Sequence, residues 1–200
     1  MNEFVRFINL PQPPEWVILA AKEEILNKNN SPEIFDLSPI TSPCEPAETI
    51  TINNKIFHYG EFYTHNFSNK LIEWFKHSLP SGIIPNGALV TKGNLWPHQD
   101  MNVQWSINYI IEPGGDNVET YWCQAQGMEL RPGYYGLPYW RHHTGLQEVY
   151  SCQLPVKKWF VIPVDIVHGT RNQTGDRISL SAKLSTSKFK ILQKIYEFTY

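Results

Sequence analysis

Cysteine is scarce in this 200-residue chain, which has only Cys44, Cys123 and Cys152. They are odd in number, far apart and never in a Cys-x-x-Cys spacing, which excludes a disulfide framework or a thiolate zinc site as the organising principle. A reducing compartment is expected. Charge is thin as well: 18% of residues are charged, against about 25% in average globular chains. Seventeen Lys and Arg against nineteen Asp and Glu leave a net charge of −2, so no basic field exists to condense on phosphates or anionic lipid. Nucleic acid and membrane surfaces are therefore not expected partners. Long apolar runs are missing too. The longest, Trp16–Ala21 and Trp159–Val164, fall far short of the ~20 residues of a bilayer span, and no secretory leader pattern opens the sequence. A soluble, cytoplasmic protein is the expectation.

What is present points to strands. The hydrophobic fraction is 42%, aromatic residues make up 14%, and fifteen prolines and twelve glycines punctuate the chain. That balance supports a folded, mainly β body with many turns rather than a helical bundle. Pro13-Pro14 ahead of Glu15–Asn29 predicts a helix, with Trp16, Leu19, Ala20, Ile25 and Leu26 loosely at helical spacing. Asn30–Glu48 is dense in Pro, Ser and Asn and is expected to wrap the surface. Two β-type runs around Asn53-Asn54 predict a hairpin, and a second helix follows over Asn69–Leu79. Strands are expected at Ala88–Lys92, Val103–Ile111, Val118–Gln124, Gln147–Gln153, Trp159–Pro163 and Arg177–Leu184, as in a sandwich or double-sheet barrel. Lys188–Tyr200 fits either helix or strand. We expect one domain over 1–200, with helical and hairpin elements of 1–80 packing on a core at 83–187.

His98-Gln99-Asp100 precedes the Val103–Ile111 strand. Residues two apart in extended chain share a face, so an imidazole and a carboxylate converge there. His168, beyond the Trp159–Pro163 strand, is available as a third ligand, and two histidines with one carboxylate make the facial triad of non-haem iron(II) oxygenases. Taken alone, a His-x-Asp is a common surface pair and a lone histidine is usually structural. His142 and His143 compete for the third position, but lack the sequel that follows His168. That sequel is Arg177-x-Ser179, which places a guanidinium and a hydroxyl on one face of the last strand, able to hold a carboxylate together.

His98-x-Asp100, the distant His168 and Arg177-x-Ser179, in this order over Ala88–Leu184, resemble the motif of the iron(II)/2-oxoglutarate-dependent dioxygenases. Trp105-Ser106-Ile107-Asn108-Tyr109-Ile110-Ile111 followed by Gly114-Gly115-Asp116 is similar to the strand and turn of prolyl-hydroxylase-like and aspartyl/asparaginyl-hydroxylase-like members. The resemblance implies a double-stranded β-helix, or jelly-roll, core and the metal ligands His98, Asp100 and His168. It implies Fe(II), O2 and 2-oxoglutarate, the last chelated through its 1-carboxylate and keto oxygen with its 5-carboxylate on Arg177 and Ser179, and ascorbate as a reductant. The implied activity is hydroxylation of an unactivated C–H in a peptide side chain or small molecule, with succinate and carbon dioxide as co-products. A non-catalytic jelly-roll binding module and a cupin-like metalloenzyme without oxoglutarate remain as alternatives.

Strand parity continues from the ligands through Asn102, Gln104, Ser106 and Asn108 on one face, with Val103, Trp105, Ile107, Tyr109 and Ile111 on the other. The polar face is either solvent-facing or, if the ligands point inward, the lining of the pocket, where Ser106 and Asn108 would meet oxoglutarate and Asn102 and Gln104 the substrate. Ala125–Lys158 carries Arg131, Tyr134, Tyr135, Tyr139, Trp140 and Arg141 and is too long for a simple hairpin turn. It is expected to act as a loop over the barrel mouth, with Arg131, Tyr135, Trp140 and Arg141 contacting substrate, or else to pack a satellite core.

Overall fold

The computed structural model describes residues 3–29, 49–52, 55–58, 61–65, 69–79, 84–92, 94–95, 97–100, 103–132, 139–184, 189–190, 193 and 198–199. The elements in chain order are β1 (Arg6–Ile8), α1 (Glu15–Asn29), β2 (Thr49–Ile52), β3 (Lys55–His58), β4 (Glu61–His65), α2 (Asn69–Ser78), β5 (Ile84–Lys92) and β6 (Trp105–Pro113). They continue with β7 (Glu119–Gln124), β8 (Gly127–Pro132), β9 (Tyr139–Thr144), β10 (Gln147–Cys152), β11 (Trp159–Pro163), β12 (Val167–Arg171), β13 (Asp176–Leu184) and β14 (Phe198–Thr199). The proposed surface wrap at Asn30–Glu48 lies outside the described residues. The last stretch contains both helical residues and β14.

The strands form a seven-stranded sheet, β14-β1-β11-β6-β13-β5-β4, and a three-stranded sheet, β10-β7-β12. An isolated antiparallel bridge between His98 and His168 adds a fourth segment to the small sheet, beside β12. Counted along the chain, the core segments are β5, the His98 bridge, β6, β7, β10, β11, β12 and β13. In the large sheet their order is first, eighth, third, sixth; in the small sheet it is second, seventh, fourth, fifth. Successive segments thus cross between the sheets, except from β7 to β10, which pair within the small one, as in an eight-stranded antiparallel jelly roll.

The large sheet turns its apolar side outward. Ile107, Tyr109 and Ile111 of β6, Trp159 and Val161 of β11, and Leu180, Ala182 and Leu184 of β13 form one cluster with Val17 and Ala21 of α1 and Leu71 and Phe75 of α2. The two helices therefore cover the outside of the sheet. Phe75 meets the Trp159 ring edge-on at 6.3 Å, Trp159 Nε1 donates to the Pro11 carbonyl at 2.9 Å, and Lys22 on α1 is ion-paired with Glu112 on β6. Leu71 and Phe75 stand four residues apart on one helix face. In α1 the buried pair is Val17 and Ala21, whereas Trp16 and Leu19 are exposed. The run Trp16–Ala21 is apolar all round, so its periodicity cannot choose a face; the sheet does.

Between the sheets lies the opposite side of the same strands. A second cluster there joins Ile110, Phe160 and Ile162 of the large sheet to Trp122 of the small one, with Val5 and Val164. Trp122 Nε1 donates to the Pro163 carbonyl at 3.1 Å, giving the buried indole its partner. The polar side chains Ser106, Asn108, Thr120, Ser179 and Ser181 are buried alongside.

Two expectations need correction. Ahead of the strand expected at Gln147–Gln153, which is β10 at the edge of the small sheet, the segment that begins at Ala125 is not a plain loop: β8 and β9 pair in register from Gly127 opposite Thr144 to Pro132 opposite Tyr139. Its glycines and rings disguise an antiparallel ribbon. Strand β12, which carries His168, was not expected, because His168 and Thr170 are polar although buried and Gly169 interrupts any alternation.

Candidate metal centre

His98 and His168 are direct cross-strand partners. The His98 N–H donates to the His168 carbonyl and the His168 N–H to the His98 carbonyl, each at 2.9 Å, the arrangement of a hydrogen-bonded antiparallel pair. Such pairs set side chains side by side, and the two rings have centroids 4.4 Å apart. Two residues on, the Asp100 N–H donates to the Val164 carbonyl at 2.9 Å, which keeps the strand extended and Asp100 on the ligand face. His98 Nε2 and Asp100 Oδ1 are 3.7 Å apart, within the ~4.4 Å that two donors at ~2.2 Å from one ion can span. Ligand atoms of all three side chains lie within 4.8 Å of one another. Among the described residues this is the one cluster of its kind, and His143 takes no part in it.

The surroundings prepare the triad for a cation. His168 Nδ1 lies 2.9 Å from the Ile166 carbonyl, a contact that places the ring proton on Nδ1 and leaves Nε2 as the ligand atom. Burial, with His98 beside it, holds His168 well below the usual imidazole range, so the ring is neutral as a ligand must be. A carboxylate and two imidazoles on one face match the donor set of an iron(II) facial triad.

Gly169 sets the spacing of these strands. A Cβ there would sit 2.5 Å from both the Leu95 carbonyl oxygen and the Tyr121 hydroxyl. Gly169→Ala should therefore push β12 away from the 95–98 segment, costing ~1–3 kcal/mol as overpacking does, and should lower Mn(II) affinity by separating His98 from His168. Thermal melting with and without Mn(II) checks this; wild-type values in both would refute it. Tyr121→Phe should not rescue the variant, since the Leu95 carbonyl remains.

Across the interior stands Arg177 of β13. Its Nη1 makes a long contact of 3.4 Å to Thr120 Oγ1 of β7, so it reaches from one sheet to the other. No carboxylate among the described residues pairs with it, and desolvation drives the guanidinium down to about 10, against a smaller opposing influence of Cys152. Ser179 is buried two residues along the same strand. Beside them, Asn108 Nδ2 donates to Ser106 Oγ at 3.1 Å, and Ser106 Oγ lies 3.2 Å from Ser181 Oγ. The polar face of β6 is thus interior rather than solvent-facing. Ser181 belongs to this polar row and was missed, although its parity with Arg177 and Ser179 could have shown it.

The remaining candidates are less central. Gln104 is exposed, and its carbonyl accepts the Val164 N–H at 3.0 Å. Asn102 and Tyr135 lie outside the described residues. Arg131 pairs with Trp140 and Arg141 with Leu130 across the β8–β9 ribbon. The outward face of the small sheet holds a separate network, in which Arg171 bonds Glu119 at 2.7 Å and Glu148 at 2.5 Å.

No family model matches the sequence, and no curated protein does. Among solved structures, the chain is similar to an oxidoreductase of the 2OG-Fe(II) oxygenase family from Burkholderia pseudomallei, at 10% identity and TM-score 0.32 over 68% of this chain and 71% of that one. It is similar to AviO1 from Streptomyces viridochromogenes Tue57, at 10% identity and TM-score 0.43, covering 93% and 92%. It is likewise similar to a prolyl hydroxylase from Trichoplax adhaerens, solved with a hypoxia inducible factor peptide fragment, at 10% identity and TM-score 0.41, covering 94% and 86%. The strand order and the ligand geometry of this chain stand independently of those distant likenesses.

Proposed function

We propose that the protein is a non-haem Fe(II)- and 2-oxoglutarate-dependent oxygenase that hydroxylates an unactivated C–H bond. The observation that carries this reading is one juxtaposition: a His-Asp-His cluster and a desolvated arginine without a counter-anion among the described residues, in the same jelly roll. His98, Asp100 and His168 would hold the iron, and when bound it supplies oxygen activation coupled to conversion of oxoglutarate to succinate and carbon dioxide.

The chain's own groups do the rest. Ile166 fixes the His168 ring. Arg177 takes the distal carboxylate of oxoglutarate through two directed, charge-assisted bonds, with Ser179 as a further donor. Ser106 and Asn108 offer hydrogen bonds nearer the middle of the sheet, and Trp122, Phe160 and Ile162 exclude water from the interior. Substrate contact is assigned to Arg131, Tyr135, Trp140 and Arg141 of the segment 125–158, with Asn102 and Gln104 beside the ligand strand. The test is succinate release from oxoglutarate in air with Fe(II) and ascorbate. Metal-dependent succinate, absent in Asp100→Ala, is the expected result. No succinate above the metal-free control would overturn the reading in favour of a binding module or a cupin-like enzyme.

A further inference from the structure

The ligand strands have a second, outward face, and a cavity of about 350 Å³ opens on it, lined by Gln99, Cys123, Ala125, Gln126, Gly127, Met128, His143, Ile166 and Val167. That volume is at the lower end of ligand sites. Its floor is the outer side of the small sheet, where Cys123 stands opposite Val167 in register. Its wall is the β8–β9 ribbon, through Gly127, Met128 and His143, of which Met128 and His143 are themselves register partners.

Two features tie this cavity to the metal centre. Gln99 lies between His98 and Asp100 in sequence, and Val167 directly precedes His168, so alternation turns each of them away from the triad and into the cavity. Gln99 Nε2 also donates to the Asp165 carbonyl at 2.5 Å, bracing the two ligand-bearing segments and leaving Oε1 as an acceptor. The chemistry of the lining is the third observation. Among the described residues it contains no Asp, Glu, Lys or Arg. It offers two primary amides, one imidazole, a thioether and aliphatic groups, and burial pushes the Cys123 thiol up to about 12, keeping it neutral. An ionised group entering such a lining would find no uncommitted counter-charge among the described residues, since the Arg171 and Glu148 that act on Cys123 are paired with each other, whereas an amide would meet both donors and acceptors on Gln99 and Gln126, with the Met128 thioether adapting to its apolar flank.

Resting on the oxygenase reading, we propose that this cavity anchors an uncharged, amide-bearing segment of the prime substrate, a peptide-like unit, while the carbon to be oxidised passes over the rim to the metal. The experiment uses the full chain, labelled at methionine, isoleucine and valine methyls, titrated with N-acetylprolinamide and N-acetylasparaginamide, and separately with N-acetylaspartate and Nα-acetyl-lysinamide. Saturable shifts of the Met128, Ile166 and Val167 methyls are expected with the neutral probes, at least about tenfold tighter than with the charged ones. Met128→Trp, which replaces an exposed side chain with a bulkier one at the cavity wall, should abolish the Ile166 and Val167 shifts while Mn(II) and oxoglutarate still bind. Equal or tighter binding of the charged probes, no saturable shift with any probe, or shifts that survive Met128→Trp would each overturn the proposal. Mn(II) and oxoglutarate titrations of the same samples separate the two readings: if both bind and the neutral probes do not, the anchoring site alone falls. Probe binding without Mn(II) binding would take down the oxygenase reading, and this inference with it.

Discussion

Asp100→Ala should lower the affinity for Mn(II), a spectroscopically convenient stand-in for iron, by more than about a hundredfold. Changes to groups that merely orient a metal ligand already cost ~10–100-fold, and this substitution removes a donor atom and the triad's single negative charge. The fold should survive, because the strand is held there by the backbone, through the Asp100 N–H on the Val164 carbonyl and the paired His98 and His168 amides. Melting of the metal-free variant should therefore match the wild type to within a few degrees, while Mn(II) titration by electron paramagnetic resonance shows the loss. Retention of affinity within a few-fold of wild type would remove Asp100 from the ligand set. Conversely, collapse of the metal-free fold would mark the carboxylate as a structural partner of the two imidazoles.

Arg177 offers a result in two directions. A charged group that loses a buried partner costs on the order of 2–5 kcal/mol, so Arg177→Met should weaken oxoglutarate binding by between tens-fold and thousands-fold. Without oxoglutarate, the same guanidinium is a cation held away from water whose one side-chain hydrogen bond among the described residues is the long contact to Thr120, which is a cost to the fold. Methionine retains an unbranched, flexible apolar chain and removes that cost, so the ligand-free variant should be more stable than wild type by on the order of 1–3 kcal/mol. Calorimetric titration and thermal melting measure the two effects on one sample. Arg177→Lys should keep the charge but lose the forked geometry, and fall between the two. If Arg177→Met binds oxoglutarate normally, the clamp lies elsewhere; if it is destabilised instead, Arg177 is paired in a way that its surroundings do not show.

Much of this site was legible in the sequence because it depends on alternation and order. His98 and Asp100 are two apart, as are Arg177 and Ser179, and extended chain places each pair on one face whatever the rest of the fold does. The helices at Glu15–Asn29 and Asn69–Ser78 were readable from their leading prolines and acid or from spacing. Less readable was which face of β6 is interior. Ser106 and Asn108 look like solvent-facing residues, and only the cover that α1 and α2 provide over Ile107, Tyr109 and Ile111 lets the polar side turn inward. Strand β1, three residues long, carries too short a pattern to read. The cavity behind the ligands was illegible for a different reason. Its walls come from segments about fifteen to seventy residues apart, and Gln99 and Val167 show no pattern beyond being the neighbours of ligands.

The outward apolar side of the large sheet has a consequence for how this protein fails. Here, detaching α1 or α2 would bare Tyr109, Trp159, Leu180 and Leu184 on adjoining strands, a sticky surface of the kind that drives association. Aggregation on heating should thus begin with helix release, well before the interior that holds the ligands comes apart. Val17, Leu71 and Phe75, which hold the helices on the sheet and take no part in the metal centre, would then decide solubility.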